Sequence, residues 1–191
     1  EIDRVLGSDR LPTFGDRQSL PYVEAIYREV MRLHPPFPLG KDFNISSSIE
    51  EDSYLDYHIP KGYFFFDDSD RRAMNRDPAV YKRPEEFLPE RFLDASSGGP
   101  FIDIDSIHAY GFGRRICAGR YMADNTVWLT IASVLATLSF GKLKDKQGNE
   151  ILVYEEYTNY FLRSSSYPKP FQCSITPRTP HAEKLILATV S

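Results

Sequence analysis

Cys117 has the richest chemical setting in this chain. It lies in YGFGRRICAGR, residues 110–120, where a glycine-rich stretch is predicted to run into a helix that starts near the cysteine. Unpaired N–H groups at a helix start carry partial positive charge, and Arg114 and Arg115 sit just before, so the thiolate form of Cys117 is expected to be favoured. A thiolate is both a nucleophile and a metal ligand. Gly111 and Gly113 allow a tight turn and the close approach of a flat ligand to the backbone, while Arg115 offers a charge-assisted hydrogen bond to a carboxylate. A phosphate cradle fits less well, because neither the third glycine of a dinucleotide fingerprint nor the Lys-Ser/Thr of a P-loop follows Gly113. Thiol redox exchange needs a nearby resolving cysteine, and Cys173 is far off in sequence. On this segment alone, a plain structural cysteine stays open as an alternative.

A second group of charges is Glu29 and Arg32 in REVMRLHPP. Three residues apart, they share one side of a helix, just outside its apolar stripe. They are either an exposed ion pair of little energetic weight or a buried scaffold pair. Val23, Ile26, Tyr27, Val30 and Leu33 recur at helical spacing, Ser19 offers an N-cap and Pro35 and Pro36 close the segment, which predicts a helix over 20–34. Residues 36–66 read as short β pieces, such as 54–59, between turn signals. Pro78, Pro84 and Pro89 exclude a long helix or central strand over 77–99, which is expected to be an ordered coil. The helix from the cysteine is predicted to end by Gly141. Its uncharged stretch 125–140 is shorter than the roughly 18 apolar residues of a membrane span, and reads as a buried core helix. Residues 151–154 and 171–176 read as antiparallel partner strands, Cys173 as a small core residue, and the serine runs 46–48, 96–97 and 164–166 as loops. The predicted class is α+β, mainly α.

At 191 residues, 41% hydrophobic and 14% aromatic, the chain has apolar material for one packed core. A net charge of -4 argues against a nucleic-acid partner, which calls for clustered Lys and Arg. Two widely spaced cysteines suit a reducing compartment better than a disulfide scaffold. The chain opens at Glu1-Ile2-Asp3 with no signal segment, and a fragment of a longer protein is expected.

The pattern Tyr110-x-x-Gly113-x-Arg115-x-Cys117-x-Gly119 resembles the cysteine loop of the cytochrome P450 family, with Tyr in place of the family's first Phe. Glu29-x-x-Arg32 followed by Leu33-His34-Pro35 is similar to the family's Glu-x-x-Arg helix, and Pro89-Glu90-Arg91-Phe92 to the segment whose Arg joins that pair. Ile59-Pro60-Lys61-Gly62, Asn75-Arg76-Asp77-Pro78 and Pro168-Lys169-Pro170-Phe171 follow in the family's order. The resemblance implies haem b, whose flat face and carboxylates suit the loop, ligated by the Cys117 thiolate. It implies Arg115 as a contact to a haem carboxylate, Tyr110, Gly113 and Gly119 as further cofactor-binding residues of the same loop, and Glu29, Arg32 and Arg91 as a structural network. For an intact enzyme it implies oxygen-dependent oxidation of a small apolar organic substrate, with electrons from an NADPH-dependent reductase. Intact relatives are expected at the endoplasmic reticulum membrane, whereas this chain, without an anchor, would be cytoplasmic if soluble.

The family's oxygen-activating helix, with its adjoining acid and Thr, is not matched. Ala123-Asp124-Asn125-Thr126 does not replace it, because its acid does not adjoin the Thr. Residues 41–48 (KDFNISSS) depart from the family's short strand with a basic residue or His, and 63–72 (YFFFDDSDRR) from its apolar strand and short helix; both read either as disturbed coding sequence or as divergent surface loops. The expectation is one partial domain, 1–191, the C-terminal part of the family fold. Its alternative function is that of a truncated remnant that does not bind haem productively.

Overall fold

The helix carrying Glu29 and Arg32 lies at the centre of the computed structural model, which describes residues 1–36, 46–65, 71–93, 107–111, 113–154, 156–157 and 167–189. This helix, α2 (Pro21–Leu33), follows a short helix α1 (Ile2–Leu6) and a 3-10 turn, Phe14–Ser19. Pro21 takes the first helical position, where its fixed φ suits the helix and its missing N–H is no loss. The N-cap is Leu20 and not the predicted Ser19, because the 3-10 turn already claims Ser19. The first-turn amides are satisfied from a distance: the Glu1 carboxylate accepts from the Tyr22 N–H at 3.1 Å and the Val23 N–H at 3.2 Å. More than a stripe is covered, since Val23, Ala25, Tyr27, Met31 and Leu33 are buried together with Arg28, Glu29 and Arg32.

Four short strands follow: β1 (Ser46–Ser47), β2 (Asp52–Tyr54), β3 (Tyr57–Ile59) and β4 (Phe64–Phe65). β2 and β3 form an antiparallel hairpin, so the stretch 54–59 contains a turn at Leu55 and Asp56 and is not one strand. Leu55 sits at φ 53°, in the left-handed region that glycine or Asn enters with less strain. β1 pairs antiparallel with β4, which makes Ser46 and Ser47 strand residues where a loop was expected. Of the two atypical stretches, 41–45 and 66–70 lie outside the described residues, as do 94–99 of the proline-rich coil and both remaining serine runs. The short helix α3 (Arg71–Met74) leads into turns through residue 93, with one 3-10 helix at Pro89–Phe92.

α4 (Arg120–Thr137) begins after Cys117, with Gly119 as its N-cap, and stops at Thr137, so it ends by Gly141 as expected. Leu138 is already extended and opens β5 (Leu138–Gly141), which pairs antiparallel with β6 (Ser174–Pro177). The strand expected over 171–176 is therefore shifted, and its partner is β5. Residues 151–154 form no strand and are exposed. Their Ile-Leu-Val-Tyr composition favours a half-buried pleated surface, but β6 pairs with β5 instead. Cys173 precedes β6 and is only half-buried, so it is not the core residue expected.

The core joins Leu20, Val23, Tyr27 and Met31 to Tyr81, Phe92, Ile107, Ala109, Trp128 and Ala132. Trp128 and Ala132, one turn apart, present one face of α4 to α2. Only they and Thr137 are buried on α4, so the predicted buried core helix is a helix with a single buried stripe. At its C-terminal end, the Arg178 N–H donates to the Thr137 carbonyl at 2.8 Å and its guanidinium to those of Leu135 and Ala136 at 3.1 and 3.4 Å. That guanidinium also pairs with Asp3 of α1. α5 (Pro180–Ala188), capped by the Thr179 hydroxyl, which accepts from the Ala182 N–H at 3.0 Å, packs against α4. The architecture is α+β, mainly α, with three separate two-stranded antiparallel sheets among the described residues. Among the described residues no helix is long and apolar enough to cross a membrane.

Two expectations follow for stability. Trp128→Ala empties the contact between α2 and α4 and is expected to cost about 3–5 kcal/mol in urea unfolding. Asp16 is held well below the usual carboxyl range by the Arg10 guanidinium first, and then by the Thr13 hydroxyl and amide. A depressed folded value means that its contribution is complete above the ordinary 3.8 and is lost as the pH falls through the folded value. Asp16→Asn should therefore lower stability at neutral pH and flatten the acid limb of the unfolding curve, as read by circular dichroism between neutral pH and strong acid.

Candidate functional site

The buried charges of α2 come together with the turns that follow α3. Glu29 and Arg32 are both fully buried, and the Arg32 Nε and Nη2 donate to the two Glu29 carboxylate oxygens at 2.7 and 2.9 Å. The remaining Arg32 donors reach main-chain carbonyls: Nη1 those of Asn75 and Pro84, each at 2.8 Å, and Nη2 that of Glu86 at 3.3 Å. All five guanidinium N–H groups are thus used. Its plane also lies over the Tyr81 ring, 5.1 Å from the centroid.

Arg91 completes the group. Its Nε donates to Glu29 at 3.1 Å, and its terminal nitrogens donate to the carbonyls of Lys82, Arg83 and Glu86. Glu29 also accepts the Leu88 N–H at 2.8 Å. The structure brings Glu29, Arg32 and Arg91 into one network whose outer partners are the backbone of residues 75–88.

Asn75, whose structural use the motif did not reveal, joins this network to the cysteine segment. It is fully buried, gives its carbonyl to Arg32, and its side-chain oxygen accepts the His108 N–H at 3.0 Å. Ile107 and Ala109, on either side of that amide, are buried in the core. The chain therefore leaves a fixed point just before Tyr110. From there it loops through Gly111 and Gly113, at φ 79° and 64°, into a 3-10 turn, Gly113–Arg115. These left-handed values are the reason for glycine at both positions. The loop closes where the Cys117 N–H donates to the Tyr110 carbonyl at 3.0 Å. The Cys117 carbonyl accepts in turn from the Arg120 N–H at 3.3 Å, which joins the loop to the start of α4.

Cys117 is exposed, and its sulfur stands 3.9 Å from where a Cβ on Gly119 would lie, so a side chain there would rest against the sulfur. Cys117 lies where the loop meets α4, two residues before the Gly119 N-cap, as expected. Of Arg115 only the backbone is described, as part of the 3-10 turn. Tyr110 is half-buried, and its hydroxyl lies 3.1 Å from that of Tyr27 on α2. Asp124, in the segment set aside as a proton relay, pairs with Arg17 at 2.5 Å instead, and Arg17 also pairs with Glu24 at 2.8 Å. The result is an exposed thiol on a short closed loop, joined to the fully buried Asn75 before it and to Tyr27 through Tyr110.

Replacing Glu29 with Gln removes the counter-charge of a buried guanidinium while keeping its shape. A loss of about 3–5 kcal/mol in urea unfolding is expected, far more than a surface pair would cost.

The family model for cytochrome P450 matches residues 1–161. Cytochrome P450 monooxygenase claR of Ampulloclitocybe clavipes is 42% identical over 186 residues, covering 97% of this chain and 33% of its own length. Cytochrome P450 monooxygenase 176 of Postia placenta is 40% identical, with 97% and 34% covered, and cytochrome P450 monooxygenase ple1 of Rhodocybe pseudopiperita is 42% identical, with 98% and 34% covered. The chain spans about a third of the length of these relatives.

Proposed function

The chain belongs to the cytochrome P450 family, and from that premise we propose that it forms the thiolate side of a haem site, with Cys117 as the axial ligand of haem b. The observation that carries this reading is the exposed Cys117 sulfur on a loop closed by the Tyr110 carbonyl and fixed behind by buried groups. The donor set suits haem, whose iron the Cys117 sulfur would hold. Cys117 supplies one exposed sulfur, and among the described residues no group of three or more His, Cys, Asp or Glu gathers to hold a bare ion. The open space at Gly113 and the lack of a side chain at Gly119 leave room for a flat face beside the sulfur.

In this reading Cys117 donates its thiolate, Gly113 and Gly119 allow close approach, and Tyr110 backs the loop. Arg115 donates a charge-assisted hydrogen bond to a haem carboxylate. The chemistry supplied by haem in such a site is the reductive activation of oxygen, promoted by electron density from the thiolate. Glu29, Arg32 and Arg91 touch no reacting atom; their part is to hold the turns from which the cysteine segment departs. The intact enzyme is then a monooxygenase acting on a small apolar organic substrate, supplied with electrons by an NADPH-dependent reductase that docks on the cysteine side.

A second reading applies to these residues alone. Tyr121 and Met122, just after the loop, are 67% and 79% exposed, and such wet apolar surface suits a remnant that does not hold haem productively. The deciding experiment is a haem titration of the purified chain, with reduced, carbon-monoxide-bound spectra recorded beside Cys117→Ala. A thiolate-type band that vanishes in the variant is expected. Its absence from the unaltered chain would leave the remnant reading standing.

A further inference from the structure

Tyr110 stands where the family pattern has Phe, and its extra hydroxyl has a partner. The Tyr27 and Tyr110 oxygens are 3.1 Å apart, and Tyr27 is fully buried. Tyr27 is held in turn. The Arg17 guanidinium lies over its ring at 5.6 Å and over that of Trp128 at 5.5 Å, while its N–H groups bind the carboxylates of Asp124 and Glu24. Burial first, and then the hydrogen bond with Tyr110, raises the Tyr27 phenol far above its usual range, so the hydroxyl pair stays intact across ordinary pH. On the other side, the main chain of Tyr110 accepts the Cys117 N–H at 3.0 Å. One residue thus joins a rigid cluster on α2 and α4 to the cysteine, by its side chain behind and its carbonyl in front.

We propose that Tyr110 is a positioning residue for Cys117, acting through a hydrogen bond to Tyr27 that ties the cysteine loop to α2, and that the two tyrosines work as a matched pair. Phe at position 110 alone would leave the Tyr27 hydroxyl to its contact with Asp124 on α4, and Phe at position 27 alone would release the loop. As a statement about the site, this rests on the reading of Cys117 as the haem ligand.

The test compares the full chain with Tyr110→Phe, Tyr27→Phe, the double variant, and Tyr154→Phe as a control at an exposed position. Amide hydrogen exchange at Cys117 is measured without haem, and the proportion of thiolate-type carbon-monoxide band with it. Each single variant is expected to raise the exchange rate roughly 3- to 10-fold, the factor that one net hydrogen bond represents, and to lower the thiolate band. The double variant should exchange no faster than either single one, and the control should match the unaltered chain. Unchanged exchange in Tyr110→Phe, or effects of the two single changes that multiply in the double variant, would overturn the proposal. An unaltered chain without the band removes the haem reading, while exchange still reports on the loop anchor. A band with unchanged exchange removes the anchor and leaves the haem reading in place.

Discussion

Everything around the cysteine depends on a guanidinium and a carboxylate taken wholly out of water. Burying Arg32 and Glu29 costs several kcal/mol per ion unless every donor and lone pair is answered. The structure answers them with main-chain groups: carbonyls of residues 75, 84 and 86 for Arg32, and the Leu88 amide together with Arg91 for Glu29. Those turns have no regular secondary structure beyond a single 3-10 helix. What gives them a shape is the requirement that their carbonyls converge on one guanidinium. The ion pair therefore acts as a template, and its value lies in the uniqueness it imposes on an irregular segment.

The constraint passes to the cysteine by two routes. One runs from Arg32 through the Asn75 carbonyl and side chain to the amide of His108. The other starts from the Arg17 cluster and passes through Tyr27 to Tyr110. Both arrive at the same short segment, one at its beginning and one at the first residue of the loop. Between them, Gly111 and Gly113 supply the left-handed turns that bring the Cys117 amide back to Tyr110. The rigidity of an exposed thiol comes from buried groups that never touch it.

Local features were the legible ones. The cysteine loop could be read because its glycines, arginines and thiol are contiguous, and the helix over 20–34 because its periodicity is strong. Glu29 and Arg32 could be paired from their spacing, but whether they were buried depended on partners far away in the chain. The roles of Asn75 and of the Arg17–Asp124 pair, 107 residues apart, had no local signal, since each lies in the choice of a distant partner. The strand register failed for the same reason: 151–154 has the stronger β composition, yet 138–141 leaves α4 already beside β6. The N-cap of α2 was misplaced because its hydrogen bonds come from Glu1, which no capping pattern encodes.

Arg178 and Asp3 meet across 175 positions of sequence, beside the C-terminal end of α4. Both side chains are partly open to solvent, at 31% and 66%, so their attraction is weak compared with the chain entropy surrendered in bringing such distant segments together. A contact of that kind cannot help to nucleate folding; it forms once α4 has already been packed by closer partners. In the folded molecule it is correspondingly the first to come undone. Fluctuation should begin as an unlatching of the two ends from α4, while the template around Arg32 and the cysteine loop hold their arrangement until global unfolding.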